Sequence, residues 1–172
     1  MKRKIKYILC PILILFISSN LNSAGILVNP SFIRVQNVVP GEKVQLIGID
    51  KCFLKVINRD NKTAKYKISL LTCKEYGKQF SQSYEDLPDT AWLAIRTAEV
   101  TVEAGKTAEV NGFSIKTPKK IKFYNKKWQS IVKVEKVPSP GEVINLEVII
   151  PLWIETQTRQ FNIFEKIFPF II

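Results

Sequence analysis

Short runs of alternating apolar and polar residues, separated by turn signals, constrain the fold of this chain more than any other feature. In the clearest run, Trp128, Val132 and Val134 fall on one face of an extended strand, and Gln129 and Lys133 fall on the other. Turn signals such as Pro-Gly recur about every 8–15 residues, and no stretch has the period of a long helix. The sequence therefore predicts an all-β sandwich of about eight short strands.

One long polar stretch interrupts this pattern. Residues 74–90 carry Gly, Ser and Pro among polar side chains and predict an exposed connection. Residues 91–95 then predict a short strand, and residues 108–116 predict a single strand with resumed alternation. The last predicted strand, residues 143–155, is apolar enough for a central position in a sheet.

The first 24 residues have the layout of a secretory signal. Four positive side chains precede an apolar run at residues 7–17, and small or polar residues lead to Ser23 and Ala24. The run is shorter than the ~20 residues of a typical spanning helix. We expect cleavage after Ala24 and export to the periplasm or cell surface; the alternative is that residues 1–24 remain as an uncleaved anchor.

The chain that follows this leader is basic. Four of the 26 Lys and Arg residues lie in the leader, which leaves 22 against 15 Asp and Glu, a net charge of +7. Outside the cytoplasm, the anionic partners for such a chain are lipid headgroups, cell-wall polymers or acidic glycans, and not nucleic acid. Lysines on exposed strand faces also protect sheets from aggregation, so the charge alone does not establish a binding site.

Two cysteines remain after the leader, an even number that suits an oxidising compartment. Cys52 opens one predicted strand and Cys73 closes the next, with a turn at residues 58–63, so both lie at the same end of the two strands. The apolar alternation does not allow direct pairing in a flat hairpin, which requires a bulge or strands in different sheets. We predict a Cys52–Cys73 disulfide, with two free thiols as the alternative.

The order of the strand motifs resembles the immunoglobulin-like domains of exported bacterial proteins. The motifs are VPGE at 39–42, LKVINRD at 54–60, WL at 92–93, VEAGKTAEV at 102–110 and FSIKTP at 113–118. Their succession is similar to the N-terminal domain of PapD-like periplasmic pilus chaperones and related surface-protein domains. The resemblance covers residues 25–157 and leaves residues 158–172 as a hydrophobic C-terminal tail. It implies an immunoglobulin-like β-sandwich of seven to eight strands that binds or scaffolds and does not catalyse.

The resemblance to pilus chaperones is incomplete at the residues that they use for binding. Those chaperones clamp the terminal carboxylate of a pilin between an Arg on the first strand and a Lys on the last. Arg34 matches the arginine, but Pro151 stands about where the lysine falls, and no second sandwich pattern follows residue 157. Both departures count against usher-dependent pilus assembly.

Residue types that catalyse reactions are scarce. The chain has no histidine, which removes the commonest general base, zinc ligand and partner of a Ser or Cys nucleophile. None of the seven glycines forms a phosphate-binding loop. Glu85, Asp86 and Asp89 could bind Ca²⁺ through carboxylate oxygens, but we interpret them as ordinary loop residues. We expect no enzyme activity, no metal and no cofactor.

The first candidate surface is a lysine-rich segment with interleaved aromatic residues. Five lysines occur within nine residues, at Lys119, Lys120, Lys122, Lys126 and Lys127. We call these five the lysine patch. In an exported protein the patch predicts contact with an anionic polymer or a membrane surface; the alternative is that Phe123 and Trp128 point inward and the lysines are merely solvated.

The second candidate surface is the end of the hydrophobic tail, residues 161–172, which we call the apolar tail. Eight of its twelve residues are large and apolar, more than a solvated terminus tolerates. They include Phe161, Phe164, Ile167, Phe168 and Phe170. Twelve residues cannot span a bilayer. The tail could pack on its own domain, lie on a membrane or add as a strand to another chain, and we predict association with a membrane or another chain.

These features together predict an exported, non-catalytic module of the bacterial cell envelope or surface. Its expected partners are other envelope or surface proteins, reached by strand addition, together with a membrane surface or anionic polymer. The alternative is a periplasmic assembly chaperone that lends a strand edge to a pilus-like partner. A small hydrolase that uses carboxylates is the third and least favoured hypothesis.

Overall fold

The computed structural model describes residues 25–46, 54–141 and 145–160. The strands in these ranges are β1 (Ile26–Asn29), β2 (Ile33–Val38), β3 (Lys43–Leu46), β4 (Leu54–Asn58), β5 (Ala64–Leu71), β6 (Glu85–Asp86), β7 (Leu93–Ala94), β8 (Glu99–Val102), β9 (Thr107–Val110), β10 (Phe113–Lys116), β11 (Lys127–Lys136) and β12 (Glu147–Thr156). One single-turn helix, α1 (Cys73–Tyr76), and two 3₁₀ turns, Thr90–Trp92 and Ile121–Phe123, lie between them. Within the described ranges, no helix is both long and apolar enough to cross a membrane.

The strands form three sheets. Sheet 1 has the order β1-β4-β9, sheet 2 the order β3-β10-β7, and sheet 3 the order β2-β12-β11-β5-β8, with β6 added beside β11. Pairing is antiparallel except between β2 and β12 and between β6 and β11, which are parallel. The apolar last strand, β12, lies between β2 and β11, so its predicted central position is confirmed.

One hydrophobic core joins the three sheets. Its buried cluster contains Val56 of sheet 1, Ile115 of sheet 2, and Trp128 and Ile154 of sheet 3. Each of these side chains is at most 1% exposed. The predicted all-β sandwich is therefore confirmed.

The outer face of sheet 3 is covered by a segment that the sequence predicts to be exposed. Gln129 and Ile131 point away from the core on β11, yet both are fully buried. Residues 72–84 lie over this face: α1 contacts β11, and backbone groups of Phe80, Ser81 and Tyr84 hydrogen-bond to the Gln129 side chain. β6 pairs with β11 within the sheet, and Leu87 then packs in the core. The prediction of an exposed connection at residues 74–90 holds for most of the segment, but it is wrong for Tyr84 and Leu87. These two are buried because the Tyr84 hydroxyl bonds to Glu155 and Leu87 packs in the core.

Two other strand predictions are wrong in detail. Residues 108–116 do not form one strand, because the chain turns at Gly112 and passes from β9 in sheet 1 to β10 in sheet 2. Gly112 has φ +80, and a Cβ there would lie 2.6 Å from the Cβ of Arg96, so only glycine fits this turn. Residues 91–95 form part of a 3₁₀ turn followed by the two-residue strand β7.

The two strands beside the cysteines lie in different sheets, β4 in sheet 1 and β5 in sheet 3. This is one of the two arrangements that the apolar alternation predicts. Cys73 is 4% exposed and has no disulfide partner among the described residues; burial, with the nearby Asp86 carboxylate, raises the pKa of its thiol to about 11. Cys52 lies outside the described residues, as do the leader and the apolar tail, so the Cys52–Cys73 disulfide stays a prediction.

Candidate functional site

Half of one edge of β12 has no hydrogen-bonded partner strand among the described residues, although β1 comes close to β12. β12 pairs with β11 from Glu147 to Glu155, whereas its pairing with β2 begins only at Leu152. We call residues 147–151 of β12, on the β2 side, the open edge. An unpaired edge of this kind presents backbone donors and acceptors to an incoming strand.

The hydrogen-bond direction along β12 defines what the open edge offers. Lys136 N donates to Leu146 O at 2.8 Å, and Thr156 N donates to Lys126 O at 2.9 Å. The backbone N–H and C=O groups of the even-numbered residues of β12 therefore point toward β11. Because backbone groups alternate sides along an antiparallel pair, Glu147 and Ile149 direct their N–H and C=O groups to the open edge. A strand arriving there would find two donors and two acceptors.

Pro151 stands at the boundary between the open edge and the paired half of β12. Its odd number places its nitrogen on the β2 side, so the missing N–H leaves the ladder with β11 intact. This accounts for a proline within a central strand, and it limits the donors of the open edge to those of Glu147 and Ile149.

The Glu155 carboxylate binds three side chains from two other segments. It accepts hydrogen bonds from Arg34 Nε at 3.0 Å, from Gln36 Nε2 at 3.0 Å and from the Tyr84 hydroxyl. These bonds, that of Tyr84 foremost, lower the pKa of Glu155 to about 2. We call these four residues the Glu155 cluster.

The Glu155 cluster changes what Arg34 can do. In the expectation drawn from pilus chaperones, Arg34 is available for a partner's carboxylate. Here its guanidinium already contacts the chain's own carboxylate, with Nη2 2.5 Å from Glu155 Oε1, although its side chain is 47% exposed. A partner carboxylate would have to displace Glu155.

An aromatic group lies on the outer face of sheet 3 beside the Glu155 cluster. The ring of Trp153 packs between Phe32, at a centroid distance of 5.6 Å, and Tyr84, at 5.9 Å. Phe32 is 53% exposed and lies directly before β2, whose pairing with β12 begins at Leu152, next to the open edge. The open edge therefore has an exposed apolar neighbour that an incoming strand could cover.

The three carboxylates considered for calcium each have a structural partner. Asp86 accepts from the backbone N–H groups of Cys73 and Lys74, and Asp89 accepts from that of Ala91. The carboxylate of Glu85 pairs with Lys126 at 3.0 Å. No group of three His, Cys, Asp or Glu residues that could hold a metal occurs in the described ranges.

The lysine patch lies in a segment that packs on a group of three aromatic rings. Trp128 is 1% exposed, and its ring and that of Phe123 contact each other and Trp92 edge to face, with centroids 4.9–5.6 Å apart. Trp128 thus belongs to the core and Phe123 packs against it, as the alternative interpretation has it. Lys119, Lys120, Lys122 and Lys127 are exposed, and a binding role for them stays a prediction.

Comparison with known proteins identifies the fold. No protein family profile matches the chain, and no curated protein matches it in sequence. The ASH/PapD-like domain 7 of human CEP192 is 14% identical, with a TM-score of 0.55 over 92% of this chain and 96% of that one. The chain has a PapD-like immunoglobulin fold.

Pilus chaperones share this PapD-like fold. The E. coli chaperone DraB is 10% identical, with a TM-score of 0.50 over 80% of this chain and 58% of that one. The Salmonella enterica SafA pilin in complex with the SafB chaperone gives 10% identity and a TM-score of 0.51 over 80% of this chain and 57% of that one. This chain therefore spans less than two thirds of the chaperone-related chains, and at such low identity the likeness concerns the fold alone.

Sequence reasoning missed most of the Glu155 cluster. It singled out Arg34 but not Glu155, which lies 121 positions later, nor Tyr84 in the segment expected to be exposed. One signal was available: Glu155 directly follows the apolar run at residues 148–154, and a charged residue in such a place needs a partner of opposite charge.

Proposed function

We propose that this chain is an exported, non-catalytic immunoglobulin-like module that binds other envelope or surface proteins by adding one of their strands at the open edge. The observation that carries the proposal is that Glu147 and Ile149 direct their backbone groups to a side of β12 where no described strand pairs. Strand addition is a common recognition mode for exposed sheet edges, because backbone hydrogen bonds supply affinity for an extended segment.

The leader and the fold support the extracytoplasmic part of the proposal. Residues 1–24 have the composition of a secretory signal, and SfaE, another structure with this fold, is a periplasmic chaperone with a TM-score of 0.50. The absence of histidine from the whole sequence supports a binding role over a catalytic one.

The substitution Ile149→Pro tests the open edge directly. It removes the Ile149 N–H on the open side, whereas the ladder with β11 uses the even-numbered residues. We expect the variant to lose a partner that the wild-type protein captures from an envelope extract, while the circular dichroism spectrum stays the same. Ile149→Ala is the matched control, since it shortens the same side chain and keeps the N–H.

Hydrogen exchange gives an independent measurement on the same residue. In the free protein the Ile149 amide should exchange much faster than that of Leu152, and it should become protected when the partner binds. Protection of Ile149 in the free protein, or equal capture by Ile149→Pro and wild type, would contradict strand addition at this edge.

The second candidate is an assembly chaperone that holds a pilus-like subunit. The PapD-like fold favours it. Arg34 lies on β2, which pairs with the last described strand, β12. Such a chaperone would bind a strand peptide with a free terminal carboxylate more tightly than the same peptide with a terminal amide. Because Arg34 already pairs with Glu155, we expect no such preference in the wild-type protein, and a preference to emerge in Glu155→Gln. A clear carboxylate preference in the wild-type protein would favour the chaperone.

A further inference from the structure

Asn125 holds the chain that leads into the apolar tail against the middle of the lysine patch. The Asn125 side chain donates to Arg159 O at 2.9 Å and accepts from Arg159 N at 2.8 Å. The Asn125 backbone N–H also donates to Gln157 O at 3.2 Å. Residues 157–160 are exposed, so the chain reaches residue 161 from a fixed point on the surface.

This fixed point is strongly basic. Residues 117–127 contain five lysines and no acidic residue. Lys126 pairs with Glu85, and the other four lysines of the patch are exposed. Lys122 and Lys127 are within three positions of Asn125, so their backbones lie within about 11 Å of it. Arg159 itself packs over the Tyr124 ring at 5.5 Å.

We propose that the lysine patch and the apolar tail together bind the surface of an anionic lipid bilayer. A single apolar anchor gives only marginal membrane binding, and stable binding needs a second signal such as a polybasic patch. Here the two signals start from the same place, because Asn125 joins them. Each lysine near an anionic surface then adds to the affinity that the eight apolar side chains of the tail supply.

Charge and composition favour a bilayer over the other occupants of this surface. An anionic polymer would engage the lysines but offers no apolar phase for the eight large apolar side chains of the tail. A second copy of the chain would bring a second lysine patch of the same sign against the first. The site is also distinct from the open edge: Thr156 and Ile149 are seven residues apart on β12, which corresponds to about 23 Å.

Flotation with lipid vesicles tests the proposal on the complete chain. We expect binding to vesicles of phosphatidylcholine with about one third phosphatidylglycerol, and weaker binding when salt rises from about 0.1 M to 0.5 M, because screening shortens the reach of the lysines. Replacing Lys119, Lys120, Lys122 and Lys127 by Gln should lower the partition coefficient about fivefold per lysine, which is about 600-fold for the four together. Binding to pure phosphatidylcholine should be weak, and neither the added salt nor the lysine substitutions should change it.

A matched variant separates the patch from net charge. Replacing Lys62, Lys74, Lys78 and Lys106 by Gln removes the same charge from exposed positions in other turns and should reduce binding much less. Replacing Phe164 and Phe168 by Ser should weaken binding to both kinds of vesicle. All variants keep residues 1–24 unchanged, so any contribution of the leader cancels.

Three outcomes would overturn the proposal. The first is equal partitioning of the two quadruple lysine variants into phosphatidylglycerol vesicles. The second is no vesicle binding by a wild-type protein that retains an anionic polymer such as heparin. The third is a tail-dependent dimer in sedimentation without flotation, which would assign the apolar tail to a second copy of the chain.

Discussion

Removing the buried side-chain amide of Asn58 should lower the free energy of unfolding by a large amount for the few atoms removed. Asn58 is fully buried at the end of β4 and corresponds to the asparagine of the LKVIN motif. Its Nδ2 donates to Lys62 O at 2.8 Å and to Val102 O at 2.9 Å. Its Oδ1 accepts from the Tyr66 hydroxyl and from Asp60 N, both at 2.9 Å. One side chain thus joins β4, the following turn, β5 and the end of β8.

The substitution Asn58→Ala removes all of these bonds and leaves their partners in a site that water does not reach. Removing one partner of a buried hydrogen bond costs about 1–3 kcal/mol, and the substitution removes two such bonds, to the Val102 carbonyl and from the Tyr66 hydroxyl. We therefore expect the free energy of unfolding to fall by about 3–5 kcal/mol. For a domain of this size, the thermal midpoint should fall by about 10–20 °C.

Urea unfolding followed by tryptophan fluorescence measures this loss, since the chain contains three tryptophans. Asn111→Ala is the matched control, because Asn111 is exposed, and it should change the free energy by less than about 0.5 kcal/mol. Asn58→Asp keeps the acceptor oxygen but replaces the Nδ2 donor by a second oxygen that faces the carbonyls, so it should destabilise at least as much as Asn58→Ala. If both Asn58 variants resemble Asn111→Ala, the argument from buried hydrogen bonds is refuted.

Three further predictions concern single side chains. Glu155 has a pKa of about 2 in the fold against 4.5 normally, so the stability that its ionised carboxylate contributes should be complete above pH about 5 and disappear as pH falls toward 2. The difference in urea midpoint between wild type and Glu155→Gln should shrink over that range, and a constant difference would contradict this prediction. Gln129→Ala removes four hydrogen bonds to the covering loop and should speed amide exchange there, at a cost of about 2–4 kcal/mol, whereas the exposed Gln45→Ala should have no effect. We expect the protein from an oxidising compartment to be two hydrogen atoms lighter by mass spectrometry than the reduced protein, because Cys52 and Cys73 then form a disulfide. In the reduced protein, the raised pKa of the Cys73 thiol should make its alkylation slow.

The sandwich was predictable because strand alternation is a local property. Trp128 and its neighbours of the same parity face the core, as their spacing indicates. The layer over the outer face was not predictable, because Gln129 looks like a solvated residue until its amide binds the covering loop. The break at Gly112 was missed because glycine carries no periodic signal, and its need for positive φ emerges only in three dimensions. The candidate site was predictable only in part: Pro151 was noticed, but the pairing of Glu155 with Arg34 joins residues that no local pattern connects.

The position of β12 has a consequence for the order in which the chain can fold. This strand comes last among the described strands, yet it lies between β2 and β11. Until residues 147–156 are available, β2 has no neighbour in sheet 3 and β11 has one unpaired side. Pairs so distant in sequence form late and slowly, because closing a long loop precedes any gain from contact. A nascent chain should therefore stay unfolded until residues 147–156 have emerged, and fragments that stop before residue 147 should aggregate through these edges.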